Sequence, residues 1–353
     1  MIVLDTEIFY LIAISLLYPC YILISSWGGV QTSNLPLEKV YNRNQTDFLK
    51  GICAVAIMFH HFTGKIEHHM LGPVYSVYMN AGYLAVAVFM MISGYCLMMQ
   101  YEKKGQKYLN GFLQKRLLRI YVPFTLCTIF VGILNEDNVL QILWNMLTFN
   151  FTIESSGMPN ATWFVIAILY FSIFFYFVAR FMKKEWLVKT MFGVAAGWII
   201  ICLLVGVGKW WYNTAWAFPV GILVCKYRQQ MYDRVTRYFL IALIMLMGVF
   251  IGTYVVMAAW ESYPILQMIC STALALLTWV LCIHINFSGK IGRWIGGFTL
   301  ELFLVHSAIL VFFYNLGITN AGWSIYIVIL LCIATGYLMN KLSSRVSDAI
   351  VKK

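Results

Sequence analysis

Between Tyr238 and Trp260 the chain runs without a single Asp, Glu, Lys or Arg, and comparable apolar stretches recur along its length. About 20 such residues in a helix span the hydrocarbon core of a bilayer. Composition agrees: 61% of residues are hydrophobic and 11% charged, against about 25% charged in an ordinary soluble domain. The chain therefore reads as an all-α integral membrane protein. Spans are expected at Ile8–Trp27, Asp47–Gly64, Ala81–Gln100, Leu117–Leu134, Thr162–Phe181 and Trp186–Gly206. Further ones follow at Trp210–Lys226, Tyr238–Trp260, Pro264–His284, Gly297–Leu316 and Trp323–Lys341, about eleven transmembrane helices in all. Val139–Ile153 is too short and polar to cross and reads as an interfacial or re-entrant segment.

Taking alternate loops as one side gathers every Lys and Arg there except Lys65 and Lys209. By the positive-inside rule that side is the cytoplasm, which puts the N-terminus outside and the C-terminus in the cytoplasm. The formal charge of +11 is thus a topological signal, and no nucleic-acid partner is expected. Residues 1–27 read as an N-terminal transmembrane anchor and 28–46 as a cytoplasmic linker. Residues 47–342 form the membrane domain, and 343–353 a cytoplasmic tail. A signal peptide is the other reading of the first stretch, but Asp5 and Glu7 flank it in place of Lys or Arg. The nine cysteines mostly fall in apolar runs without a C-x-x-C and read as small buried hydrophobes.

Asp47–Gly64 differs from the other spans. It carries Asp47 and Lys50 at one end and His60 and His61 near the other. On a helix Lys50 and His61 are about 20° apart around the axis and roughly 16 Å apart along it. Asp47 shares that stripe, about 40° from His61, whereas His60 points about 80° away from Lys50. Ionisable groups in a membrane segment are costly and usually functional. A neutral imidazole at His61 suits general-base work on a hydroxyl; a histidine hydrogen-bonded within the bundle is the other reading.

At the cytoplasmic edge Arg116 and Arg119 lie three apart on one helix face, with Lys115 beside them. Forked guanidiniums suit phosphate recognition, and an ordinary flank binding lipid headgroups carries the same residues. Ser93 and Gly94 permit close backbone approach, and Trp163 opens the span after an outer loop. Glu301 and His306 lie in one span, about 140° apart, so they share no face. Glu301 calls for a partner, a basic group on a neighbouring helix being the expected one. His60, His61, His68 and His69 do not converge on one ion from adjacent helical positions, and no metal is expected.

Together these motifs resemble the membrane acyltransferase-3 family, the multi-span acyl-coenzyme A-dependent O-acyltransferases that decorate bacterial surface glycans. A basic residue, ten positions and a histidine open that family's pattern, as Lys50 and His61 do here. Arg116-Leu117-Leu118-Arg119 with Pro123 resembles its second signature, and Ile92–Tyr95, Trp163–Tyr170, Phe218–Gly221 and the block ending at His306 follow in the family's order. Ile166, Ala167 and Ile168 stand where many members place a carboxylate.

The resemblance implies a ten-helix core, with Ile8–Trp27 as an additional helix, in the bacterial cytoplasmic membrane. It implies transfer of an acyl group, acetyl by default, from cytoplasmic acetyl-CoA to a hydroxyl of a cell-surface or lipid-linked glycan. His61 would be the base; Lys50, Arg116 and Arg119 would hold coenzyme A. Asp47, Ser93, Trp163, Glu301 and His306 are further site candidates, and an acyl-histidine intermediate is the competing route. Membrane lipids are the remaining partner. The alternative is a proton-coupled transporter or flippase using Lys50, His61 and Glu301 as its pathway.

Overall fold

A computed structural model describes residues 18–27, 29–31, 33–65, 73–148, 162–259, 263–317 and 324–351. Residues 8–17 of the expected first span, 149–153 of the short segment, Trp260, Trp323, His68 and His69 lie outside these. The described chain is helical, with one isolated antiparallel bridge between Val30 and Ile285. Its helices are α1 (18–27), α2 (Arg43–Thr63), α3 (Pro73–Lys104), α4 (Phe112–Leu134) and α5 (Val139–Thr148). Then come α6 (Thr162–Phe181), α7 (Leu187–Val205), α8 (Ala217–Lys226), α9 (Arg228–Arg237) and α10 (Phe239–Ala259). The last are α11 (Pro264–Leu281), α12 (Lys290–Gly296), α13 (Thr299–Asn315) and α14 (Ser324–Val351).

Among the described residues seven helices are long and apolar enough to cross a membrane. The pair α12 and α13, bent by 84°, makes an eighth if taken as one span. The protein is a multi-pass membrane protein. Its helix α2 has 21 residues but is outside that set. Arg43, Asp47, Lys50, His60 and His61 make it too polar to face lipid, and it is packed among α3, α12 and α13 instead. The expected span Trp210–Lys226 is broken. A 3₁₀ turn at Lys209–Trp211 and a further turn precede α8, whose ten residues cover about 15 Å, half a bilayer core. Asn213 and Thr214 at the break are buried, and Asn213 Nδ2 donates to Gln267 Oε1 at 2.9 Å. Such irregular backbone is tolerated at membrane depth only when protein encloses it. The final helix continues to Val351, through most of the expected tail.

The expected linker is part of the core. Gln31 N–H donates to His284 O at 2.8 Å, and Leu35 N–H donates to Ile283 O at 2.7 Å. Gln45, fully buried, accepts from the Tyr41 N–H and donates through Nε2 to Cys282 O and Ile285 O at 3.1 and 3.0 Å. Asn42 caps α2 by accepting from the Gln45 N–H at 3.1 Å. These bonds explain why the helix begins at Arg43 rather than Asp47, and they fix its start against the end of α11. Small residues then let α2 and α12 touch backbone to backbone: a Cβ on Gly51 would lie 1.9 Å from Gly292 O.

Candidate functional site

Near its C-terminal end α2 presents His60 and His61 one turn before the exposed Gly64–Lys65. The His61 ring lies 4.9 Å, centroid to centroid, from His60 and 4.9 Å from His306 of α13. Three imidazoles therefore meet, although His306 is 245 residues from His61. The outer two are tied down. A carbonyl can only accept, so the ring nitrogen facing it carries the proton. His306 Nδ1–H donates to Leu302 O at 3.2 Å, and His60 Nδ1–H donates to Tyr78 O at 3.3 Å. Each thereby keeps Nε2 as the acceptor. On His306 that nitrogen is buried without a hydrogen-bond partner among the described residues.

His61 differs from both neighbours. It makes no hydrogen bond among the described residues, and it is half-buried. The α3 backbone comes up against His60 because position 82 is glycine; a Cβ there would lie 2.6 Å from the imidazole.

A second cluster forms at the other end of α2. Lys50 Nζ pairs with Asp47 Oδ1 at 2.6 Å, and Arg43 Nε approaches Asp47 Oδ2 at 3.4 Å. Lys50 is therefore a compensated cation. Arg116 and Arg119 on α4 have no carboxylate partner among the described residues. Arg116 Nε donates to Ser172 Oγ at 3.1 Å, and that hydroxyl donates to Ile168 O at 2.6 Å. A crowded cation held only by a neutral hydroxyl is built to receive an anion. Cys96 of α3 lies in the electrostatic field of Lys50, Asp47, Arg116 and Arg119 together, and Tyr108 in that of the two arginines. Cys96 is also exposed while its neighbours Tyr95 and Leu97 are buried. Charges from two other helices therefore converge near an exposed thiol, and together they form a basic cluster. This corrects the expectation of a buried cysteine here; Cys20 is the other exposed one.

The interval between the two clusters is apolar. Ala54 and Ile57, on the stripe that joins Lys50 to His61, are 3% and 2% exposed. Ser93 of α3 is half-buried and without a hydrogen bond among the described residues.

The remaining candidates fall elsewhere. Glu301 is buried, but its partners are neutral: Asn340 Nδ2 and Ser343 Oγ of α14 donate to Oε1 at 3.0 and 2.9 Å. The expected basic partner is absent among the described residues. Glu301 sits in the first turn of α13, where the free N–H groups of the helix favour a negative charge, so two neutral donors suffice. Trp163 does not reach the histidines directly. It packs on Phe164, which meets Phe303, which in turn lies 5.7 Å from His306.

The geometry comprises an imidazole without a hydrogen bond among the described residues between two fixed ones, and a basic cluster one helix-length away. No curated protein and no solved structure is a match. The acyltransferase-domain family known as acyltransferase-3 matches residues 43–339, which begins at the first residue of α2 and takes in both clusters. The match spans well over half of the chain, and the protein belongs to the acyltransferase-3 family of membrane acyltransferases.

Proposed function

We propose that the protein moves an acetyl group from acetyl-coenzyme A, bound at the basic cluster, to a hydroxyl of a cell-surface or lipid-linked glycan, with His61 as general base. The single observation that carries the assignment is the contrast within the histidine cluster. His60 and His306 have each committed a nitrogen to a carbonyl, and His61 has committed neither. Arg116 and Arg119 receive the donor's phosphates, and Lys50, already paired with Asp47, sets the edge of that site.

In the transfer, neutral His61 takes the proton from the acceptor hydroxyl as its oxygen attacks the thioester carbonyl. The new C–O bond forms, the C–S bond breaks, and the proton passes from His61 to the departing thiolate, giving free coenzyme A. Because Ala54 and Ile57 fill the interval, the pantetheine arm reaches His61 only when α2 and its neighbours part there. In this reading, with the basic loops taken as cytoplasmic, the chemistry occurs toward the outer side of a bacterial cytoplasmic membrane.

The test uses purified protein with acetyl-coenzyme A and candidate glycans, followed by free-thiol release and labelled product. His61→Ala should lower both signals by about 100-fold or more while His60→Ala retains them. Loss in His60→Ala with retention in His61→Ala overturns the assignment.

A further inference from the structure

Lys65 and Lys209 are the two basic residues on the side opposite the other basic loops, and they differ. Lys209 already has an interaction partner. Lys65 is exposed and has no carboxylate partner among the described residues. It stands one helical turn beyond His61. The turn that ends α2 continues through it, with Gly64 N–H donating to His60 O at 3.1 Å and Lys65 N–H to Phe62 O at 2.9 Å. Four residues on a helix separate two side chains by about 40° and about 6 Å, and the His61 imidazole lies in the electrostatic field of the Lys65 ammonium.

Lys65 Nζ also sits over the ring of Tyr314, 5.1 Å from its centroid. Tyr314 belongs to α13, eight residues past His306 and so about 12 Å further along that helix. The seam between α2 and α13 is thus bridged twice, by His61 against His306 and, at its exposed end, by Lys65 against Tyr314. A ring face attracts the cation but takes none of its three N–H donors. Lysines flanking membrane spans ordinarily gather on the cytoplasmic side, so Lys65 is an exception, and it falls on the seam that holds the base. We infer that the acceptor carries an anionic group, a carboxylate or a phosphodiester, close to the hydroxyl that is acylated, and that Lys65 receives it. The inference rests on the acyl-transfer reading above and names the acceptor class that the reading left open. With the hydroxyl at His61, an anion on the same sugar or on the linkage beside it comes within reach of an ammonium one helical turn away.

The experiment measures kcat/KM for thiol release from acetyl-coenzyme A with three acceptors of equal length: a neutral glucan, a glucuronate-bearing glucan and a phosphodiester-bearing glucan. Wild type, Lys65→Gln and Lys65→Arg are compared in phosphatidylcholine nanodiscs, with and without phosphatidylglycerol. One charge-assisted contact is worth about tenfold. Wild type should therefore favour at least one anionic acceptor over the neutral one by about tenfold, and added salt should narrow that margin. Which of the two anions is preferred separates an acidic sugar from a phosphodiester linkage. In Lys65→Gln the anionic-to-neutral ratio should fall to near one, and Lys65→Arg should restore it. An equal loss with all three acceptors overturns the inference, as does a loss confined to discs with phosphatidylglycerol, which assigns Lys65 to a lipid headgroup. An unchanged ratio in Lys65→Gln overturns it too and leaves the transfer reading standing. No thiol release from wild type with any acceptor overturns both.

Discussion

Helices α2 and α10 invert the rule familiar from soluble proteins. The most apolar crossing helix, α10, is the least covered: Leu240, Ile244 and Met245 are 68%, 68% and 65% exposed, and Met257 is its one buried residue. Helix α2 bears an acid, four basic or imidazole groups and a buried glutamine, and most of its length is covered by protein. Lipid tails are as apolar as leucine, so α10 gains little from protein cover. Charges and amides have no such solvent in the bilayer and must find partners inside. Between these two helices burial follows polarity, and the candidate site lies where the polar one is wrapped.

Substitutions on the two helices test that contrast. The largest expected effect is at His61, where removal of a positioned general base costs typically 10²–10⁴-fold in turnover. Thiol release by His61→Ala should fall within that range while the protein still elutes as wild type. Next comes Gln45→Leu, which strands the Tyr41 N–H and the Cys282 carbonyl and leaves Ile285 O with the Phe287 N–H alone. Each buried group left without a partner costs about 1–3 kcal/mol, so thermal unfolding in detergent should shift down clearly; an unmoved transition would mean the segment before α2 is not core.

Arg116→Gln removes the charge but keeps a donor for Ser172. It should raise KM for acetyl-coenzyme A by about tenfold with kcat little altered, the loss expected of one charge-assisted contact. The smallest effect belongs to α10. Ile244→Ala should change stability by no more than about 0.5 kcal/mol; a large loss would reveal a partner covering that face.

Much of this was legible in the residues because it is local. The spacing from Lys50 to His61 is a helical repeat, and α2 is a continuous helix across it. The pair Arg116 and Arg119 likewise needs only its own helix. What the sequence hides is what folding joins across hundreds of residues. Nothing local tells that His306 meets His61, or that Cys96 shares a cluster with Arg116. The partner of Glu301 was misjudged because an isolated carboxylate suggests a cation, whereas the helix end and two neutral donors are supplied by α13 and α14. The break before α8 had local signals in Asn213, Thr214 and Pro219, outweighed by the surrounding apolar residues. The stripe that aligns Lys50 with His61 on α2 is apolar and buried at Ala54 and Ile57, because only its two ends are polar.

The open thiol of Cys96 offers a way to watch this protein at work. With Cys20→Ser in place it becomes the one exposed cysteine. A fluorophore attached there would sit beside the basic cluster, several helical turns from His61. If acetyl-coenzyme A is the donor as proposed, its arrival and departure would alter that emission separately from chemistry, making the order of events in a single turnover directly observable.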